Sequence, residues 1–187
     1  MIKLRRGKWT DLKKYYTMME VDFDSKELLG KLVMLKGIIE NSADLWVAYE
    51  DESRIDVGYA FVLSKNVYNY VILKYMGVFP WYREKGVGKD IMRLLIPEYK
   101  DKNGIIVEIP VFEENDELQI NKLRHFFERF GFVNVDSDYR IGGAPVILMC
   151  KSINGTAEIS DIAHRIITDI YTRYIPGENV DIKKFMN

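Results

Sequence analysis

The sequence is poor in cysteine and histidine, with one cysteine and two histidines in 187 residues. A single cysteine excludes an internal disulfide and is typical of a reducing cytoplasm, where we expect this protein to work. Cys150 ends an apolar run, residues 146–150, which predicts a buried structural thiol rather than a nucleophile. No spacing of His, Cys and Asp predicts a metal site.

Long apolar runs are missing as well. No segment reaches the roughly 18 apolar residues of a membrane span, and the N-terminus lacks the apolar core of a signal peptide. The net charge is −1, with acidic and basic residues interspersed. No basic stripe therefore predicts a nucleic-acid partner, and we expect neither nucleic acid nor membrane as a partner.

What the chain does contain is a patterned core. Apolar residues make up 48% of it, enough for one domain. Runs of β-type residues are predicted as strands at 2–6, 45–49, 57–63, 70–78, 105–111, 133–141 and 145–150. Stripes at helical spacing lie between them: Trp9, Leu12, Tyr16, Met19 and Phe23; Leu28, Leu32, Leu35 and Ile39; and Ile120, Leu123, Phe127 and Phe130. The sequence predicts one α+β domain over residues 1–187, with a C-terminal helical extension over 156–175.

Residues 78–90 carry the most specific pattern. A β-rich run enters this segment, two glycines follow at Gly86 and Gly88, and an amphipathic helix predicted over 86–96 leaves it. A helix start after a glycine turn offers unpaired N–H groups and partial positive charge to phosphate oxygens. Ile91 stands where a dinucleotide fingerprint needs its third glycine, and Lys89-Asp90 lacks the spacing and hydroxyl of a P-loop.

The pattern that remains is Arg83-x-x-Gly86-x-Gly88 after Val78-x-Pro80. It resembles the acyl-coenzyme A pyrophosphate motif of the GNAT superfamily of N-acetyltransferases. A second segment, residues 126–132, resembles the aromatic–Glu–basic–x–Gly–Phe end of the GNAT helix after the central strand. The resemblance covers about residues 2–151.

The resemblance implies an α/β/α fold with a mixed, mostly antiparallel sheet that contains a parallel split pair. Acetyl-CoA would lie where the strands ending at Val78 and running through Glu108 part. The backbone of Val78 would bind the pantetheine arm, Arg83 would add charge, and Phe127 would lie near the sulfur. The pyrophosphate would be held by the amides of Glu84, Lys85, Gly86, Val87, Gly88 and Lys89. An amine would then attack the thioester directly in a ternary complex.

Three departures from the family pattern affect the catalytic groups. Many members carry a tyrosine at the position of Phe127 that protonates the leaving thiolate; Tyr139, Tyr75 or water are the candidates to replace it here. An asparagine often lies seven residues earlier, where this chain has Ile120. Some members place a general-base glutamate at the position of Ile72.

Glu108 is the best remaining acid or base, because a carboxylate inside an apolar strand is costly unless it is paired or faces a wet cleft. Two interpretations stay open: a base that takes the proton of the amine through water, and a structural glutamate tied to a Lys, Arg or Tyr. We interpret His125 as a surface residue.

The acceptor is expected to be an amine, either a small molecule or a peptide. Its site would be built by the first two helices, the loop after them and the hairpin at Gly142-Gly143. The alternative function is a non-catalytic sensor of acyl-CoA on the same fold, and a blander one is an interaction domain. A homodimer contact through the C-terminal helix is a further open alternative.

Overall fold

The computed structural model describes residues 1–25, 27–64, 67–111, 117–135, 139–141, 144–155 and 159–174. The chain divides into two compact units. Unit 1 comprises Met1–Lys65 and Leu73–Tyr99, and unit 2 comprises Asn66–Ile72 and Lys100–Asn187.

Unit 1 holds strands β1 (Ile2–Arg6), β2 (Ala43–Glu50), β3 (Asp56–Leu63) and most of β4 (Tyr70–Val78), in that order across the sheet. β1 pairs antiparallel with β2, with Arg6 opposite Trp46, and β2 pairs antiparallel with β3, with Trp46 opposite Ala60. Nearly every residue of β2 and β3 is buried. The four predicted strands of this unit are confirmed.

Helices α1 (Leu12–Asp22) and α2 (Lys31–Ile39) correct the predicted stripes. α1 buries Leu12, Tyr15 and Met19 rather than the Trp9 and Tyr16 side of the helix, and Trp9 is 59% exposed. The buried face of α1 therefore includes Tyr15 instead of Tyr16, because the Tyr15 hydroxyl donates to Asp56 Oδ2 at 2.6 Å. A burial pattern ranks Tyr15 and Tyr16 equally, and the hydrogen bond decides between them.

The prediction for α2 was wrong about which side of the helix is buried. The helix begins at Lys31 with Gly30 as N-cap. Met34 and Gly37 face inward, whereas Leu32 and Ile39 are 79% and 59% exposed. A small inward residue lets the helix approach the sheet closely, and a count of large apolar residues does not detect it.

Helix α3 (Val87–Glu98) follows the glycine segment and buries Val87, Ile91, Met92 and Leu95. Pro97 lies in its last turn and the helix ends one residue later, close to the predicted stop. The spacing of the four buried residues fixes one face of α3 on the core of unit 1.

Unit 2 is centred on β5 (Gly104–Pro110), which lies between the first residues of β4, Tyr70–Ile72, and β8 (Ala144–Ser152). β8 pairs antiparallel with β5 and also with the short strands β6 (Val133–Asn134) and β7 (Tyr139–Ile141). The hairpin turn proposed at Gly142-Gly143 lies outside the described residues. Cys150 is buried, as predicted, and burial raises the pKa of its thiol to about 12.

Helix α4 (Glu117–Glu128) buries only Phe127 among its described side chains, and Leu123 of the predicted stripe is 46% exposed. Gly131 has φ +80° and ends the helix in the left-handed conformation. The Phe132 ring packs back on Phe127, with ring centroids 5.5 Å apart.

Helix α5 (Ile159–Tyr174) confirms a C-terminal helix, while residues 156–158 and 175 of the predicted range lie outside the described part of the chain. Its inner face is apolar and almost fully buried, and comprises Ala163, Ile166, Ile167, Ile170, Tyr171 and Tyr174. None of the helices within the described ranges is long and apolar enough to cross a membrane.

Candidate functional site

The glycine loop, residues 83–88, joins the end of β4 to α3 through a short 3-10 turn at Pro80–Tyr82. Two of its residues have left-handed backbones, Glu84 with φ 63° and Gly86 with φ 83°. Gly86 is the N-cap of α3, and no side chain forms a cap hydrogen bond there. The N–H groups of Lys89 and Asp90 already turn back to the Gly86 carbonyl, at 2.9 and 3.2 Å. The N–H groups that precede these two in the first turn have no acceptor inside the helix and point out from its N-terminal end.

The space beside Gly86 is open. An ideal Cβ at this residue meets no atom within 4 Å, so glycine is not required here by crowding. The left-handed backbone is what favours glycine. Arg83, Lys85 and Lys89 carry exposed basic side chains in and next to the loop, alongside the carboxylates of Glu84 and Asp90. This combination of donors, charge and access fits a diphosphate.

Arg83 is not a free surface cation. Its Nε donates to the Val78 carbonyl at 3.0 Å, and its guanidinium forms an ion pair with Asp22 at 2.7 Å. Asp22 also accepts a hydrogen bond of 2.8 Å from the Tyr59 hydroxyl. Burial and this hydrogen bond raise the pKa of Tyr59 well above its ordinary value, so the phenol remains a donor. No local pattern links Asp22 to the glycine loop, because it lies 61 positions before Arg83.

Tyr75, one candidate for the missing acid, has its hydroxyl engaged elsewhere. The hydroxyl accepts the Leu29 N–H and donates to the Glu27 carbonyl, both at 2.7 Å. The Tyr75 hydroxyl therefore holds the main chain of the connection between α1 and α2.

In unit 2, Glu108 is partly buried on β5, and both of its carboxylate oxygens face the hydroxyl of Tyr171, at 2.8 and 2.6 Å. Tyr171 lies on α5 and is 1% exposed. The structure thus shows the tyrosine tie that the sequence left open for Glu108. Sequence reasoning did not identify Tyr171, because it lies 63 positions away and no spacing links the two residues.

The other residues proposed from sequence in unit 2 are buried. Phe127 is 8% exposed and packs against Phe126 as well as Phe132, and Tyr139 is 2% exposed on β7, opposite Val146. His125 lies on the surface, as interpreted, with its side chain 71% exposed and Nδ1 2.7 Å from Glu128. No cluster of His, Cys, Asp and Glu among the described residues could hold a metal ion.

The family is decided by the sequence. Residues 41–134, half of the chain, match the profile described as acetyltransferase (GNAT) domain. The chain belongs to the GNAT acetyltransferase family. The matched range contains the glycine loop, Glu108 and Phe127. No curated protein matches the sequence.

Solved structures confirm the fold. A GNAT-family acetyltransferase from Bacteroides thetaiotaomicron superposes with a TM-score of 0.70 at 16% identity, over 91% of this chain and 96% of that one. The spermidine/spermine N-acetyltransferase SpeG from Vibrio cholerae gives 0.62 at 16% identity, over 81% and 95% of the two chains. Arabidopsis thaliana NAA60 in complex with acetyl-CoA gives 0.62 at 16%, over 83% and 100%.

The expected fold class is therefore confirmed: over its described residues this GNAT protein has a mixed sheet with a parallel pair and five α-helices. The prediction of an acetyltransferase enzyme is confirmed as well, because membership of the family carries that activity. GNAT acetyltransferases use acetyl-CoA as the acyl donor, and the glycine loop of this chain has the donors and charge for its diphosphate.

Proposed function

We propose that this GNAT enzyme transfers the acetyl group of acetyl-CoA to an amine by direct attack of the amine on the thioester in a ternary complex. The observation that supports this most is the start of α3, where a left-handed Gly86 leaves the helix N-terminus without a side-chain cap and open to the outside. Diphosphate oxygens need such N–H donors and nearby positive charge.

When bound, acetyl-CoA supplies an activated acyl group. The diphosphate is held by the main-chain amides of the glycine loop and the residue after it, namely Glu84, Lys85, Gly86, Val87, Gly88 and Lys89. Arg83 contributes charge beside them while it remains anchored on Val78 and Asp22. The main chain of Val78 binds the pantetheine arm as an added strand would, and Phe127 flanks the sulfur.

The catalytic assignment rests on Glu108 and Tyr139. Glu108 accepts the proton of the attacking amine, directly or through one water. The backbone N–H near Val78 polarises the carbonyl and stabilises the oxyanion. Phe127 has no proton to give, so Tyr139 is the proposed donor to the departing sulfur. A thiol has an ordinary pKa of about 8.5, so a thiolate leaves readily with little help.

The acceptor that we propose is an amine, either small or on a peptide. One solved relative of the same fold is a spermidine/spermine N-acetyltransferase, which makes polyamines the first small amines to test. In unit 1 the exposed residue Asp24 follows Phe23 in the chain at the start of the α1–α2 connection, and a carboxylate and an aromatic ring are groups that suit an ammonium ion.

Calorimetry with CoA and acetyl-CoA, followed by a thiol-release assay, tests the proposal. We expect binding of both nucleotides, and release of free CoA only when an amine from a panel of polyamines, amino acids and short peptides is added. Binding without release for any amine would favour the sensor. Absence of heat with either nucleotide would refute the coenzyme site.

A single domain, a cytoplasmic location and a homodimer remain predictions for this chain. Light scattering measures the assembly state directly, and cell fractionation measures the compartment.

A further inference from the structure

The Glu108–Tyr171 pair joins the matched family region to a helix outside it. The family match ends at residue 134, whereas Tyr171 lies on α5. The tyrosine hydroxyl lies 2.8 and 2.6 Å from the two carboxylate oxygens of Glu108. One phenolic hydrogen thus faces both oxygens, and this fixes the plane in which the carboxylate lies.

This pair is not needed to attach α5. Apart from Tyr171, four apolar residues of the helix are fully buried, namely Ala163, Ile166, Ile167 and Ile170. A further attachment comes from Asp169, whose Oδ2 accepts the N–H of Val67 at 3.0 Å. Apolar burial holds the helix whether or not residue 171 carries a hydroxyl.

The strand does not need a carboxylate either. Ile106, two residues before Glu108 and on the same face of β5, is fully buried, and Tyr171, which meets the carboxylate, is 1% exposed. A leucine at position 108 packed against a phenylalanine at position 171 would avoid the desolvation of a charged group, and such replacements are often neutral or stabilising. A polar pair in this apolar setting points to a role in chemistry.

We propose that Tyr171 is a positioning residue for Glu108, and this inference rests on the proposed acetyl transfer. Its hydroxyl donates to the carboxylate and holds it in one orientation. In the reaction the amine nitrogen forms a bond to the acetyl carbonyl carbon, and one N–H proton passes to Glu108. The C–S bond breaks and the sulfur leaves with the electron pair. Tyr171 gives up no proton.

The test compares Tyr171→Phe, Glu108→Gln and the double variant in the full-length protein, with Tyr174→Phe as the matched control. The control deletes a hydroxyl from a second buried tyrosine of the same helix. The measurements are kcat and KM for acetyl-CoA from thiol release, Kd for CoA from calorimetry, and Tm. We expect Tyr171→Phe to lower kcat about 10-fold and to leave KM and Kd within about twofold, because the hydroxyl donates to the proposed proton acceptor and not to the coenzyme.

The double variant separates positioning from structure. If Tyr171 works through Glu108, then Tyr171→Phe causes no further loss of kcat in the Glu108→Gln background. Wild-type kcat in Tyr171→Phe, an equal loss in both backgrounds, or an equal loss in Tyr174→Phe would each overturn the assignment. If Tyr171→Phe fails to fold even with saturating CoA, the hydroxyl is structural, and this result would also overturn the assignment. A wild-type protein that acetylates no amine would overturn the proposed function and this inference together.

Discussion

Replacement of Gly86 by alanine tests the phosphate site with the smallest possible side chain. Gly86 has φ +83°, and the new Cβ meets no protein atom within 4 Å. The cost in the free protein is therefore the left-handed backbone alone, about 1–2 kcal/mol for an L residue. For a chain of this size, this corresponds to a fall of about 2–8 °C in Tm.

The effect on the coenzyme should be much larger than the effect on stability. The methyl group of Gly86→Ala would occupy the space through which phosphate oxygens approach the N-cap of α3. Each hydrogen bond to a charged group contributes about 1.5–3 kcal/mol, so loss of two costs about 3–6 kcal/mol. Since about 1.4 kcal/mol is a tenfold change, Kd for CoA should rise at least about 100-fold in calorimetry.

Gly131→Ala is the matched control. Gly131 also has a left-handed backbone, with φ +80°, and its new Cβ would lie 3.0 Å from the flexible end of Lys151. We expect a similar fall in Tm and an unchanged Kd for CoA. If Gly86→Ala loses the same stability as the control but binds CoA within about threefold of the wild type, the amides of this loop do not hold the phosphates.

Three further predictions concern charge and protonation. Asp22→Asn removes a negative charge that offsets the charge of Arg83 beside the phosphate site. Calorimetry at low salt should show CoA binding that is tighter by about two- to fivefold, the effect of one exposed ion pair. Weaker binding would mean that Asp22 holds Arg83 in its working position. Burial raises the thiol pKa of Cys150 to about 12; Ellman's reagent at pH 8 should find no reactive thiol in the folded protein and one after unfolding in guanidinium, whereas rapid reaction of the folded protein would contradict its burial. Burial tends to raise the pKa of Asp56, but hydrogen bonds from Lys14 and Tyr15 outweigh it and hold this pKa below its ordinary value of 3.8. The stability from ionised Asp56 is thus present above that value and is lost as pH falls below it, so Tm should fall less between pH 6 and pH 3 in Asp56→Asn than in the wild type, and an equal fall would remove Asp56 from the acid response.

The strands and the glycine loop could be predicted because their signals are local. The loop is specified by the order of residue types between Val78 and Gly88, and the structure places the left-handed Gly86 within it. Cys150 and the left-handed Gly131 are equally local, since a buried run or a helix end identifies each one.

The partners of the site residues could not be predicted in the same way. Arg83 meets Asp22 across 61 positions, and Glu108 meets Tyr171 across 63. Such pairs depend on how whole elements pack, and any of the 12 tyrosines could have been the partner of Glu108. The faces of α1 and α2 were misjudged because one hydrogen bond of Tyr15 and one small residue, Gly37, outweigh the count of large apolar side chains.

The hydroxyl of Tyr75 has a consequence for the evolution of this enzyme. It fastens the α1–α2 connection through two peptide groups, the N–H of Leu29 and the carbonyl of Glu27. Neither bond depends on which side chains the connection displays to the outside. The side chain of Ser25, which is exposed on this connection, takes no part in either bond. A library randomised at Ser25 should therefore yield folded proteins, and selection on new amines would then act on a surface whose backbone is already fixed.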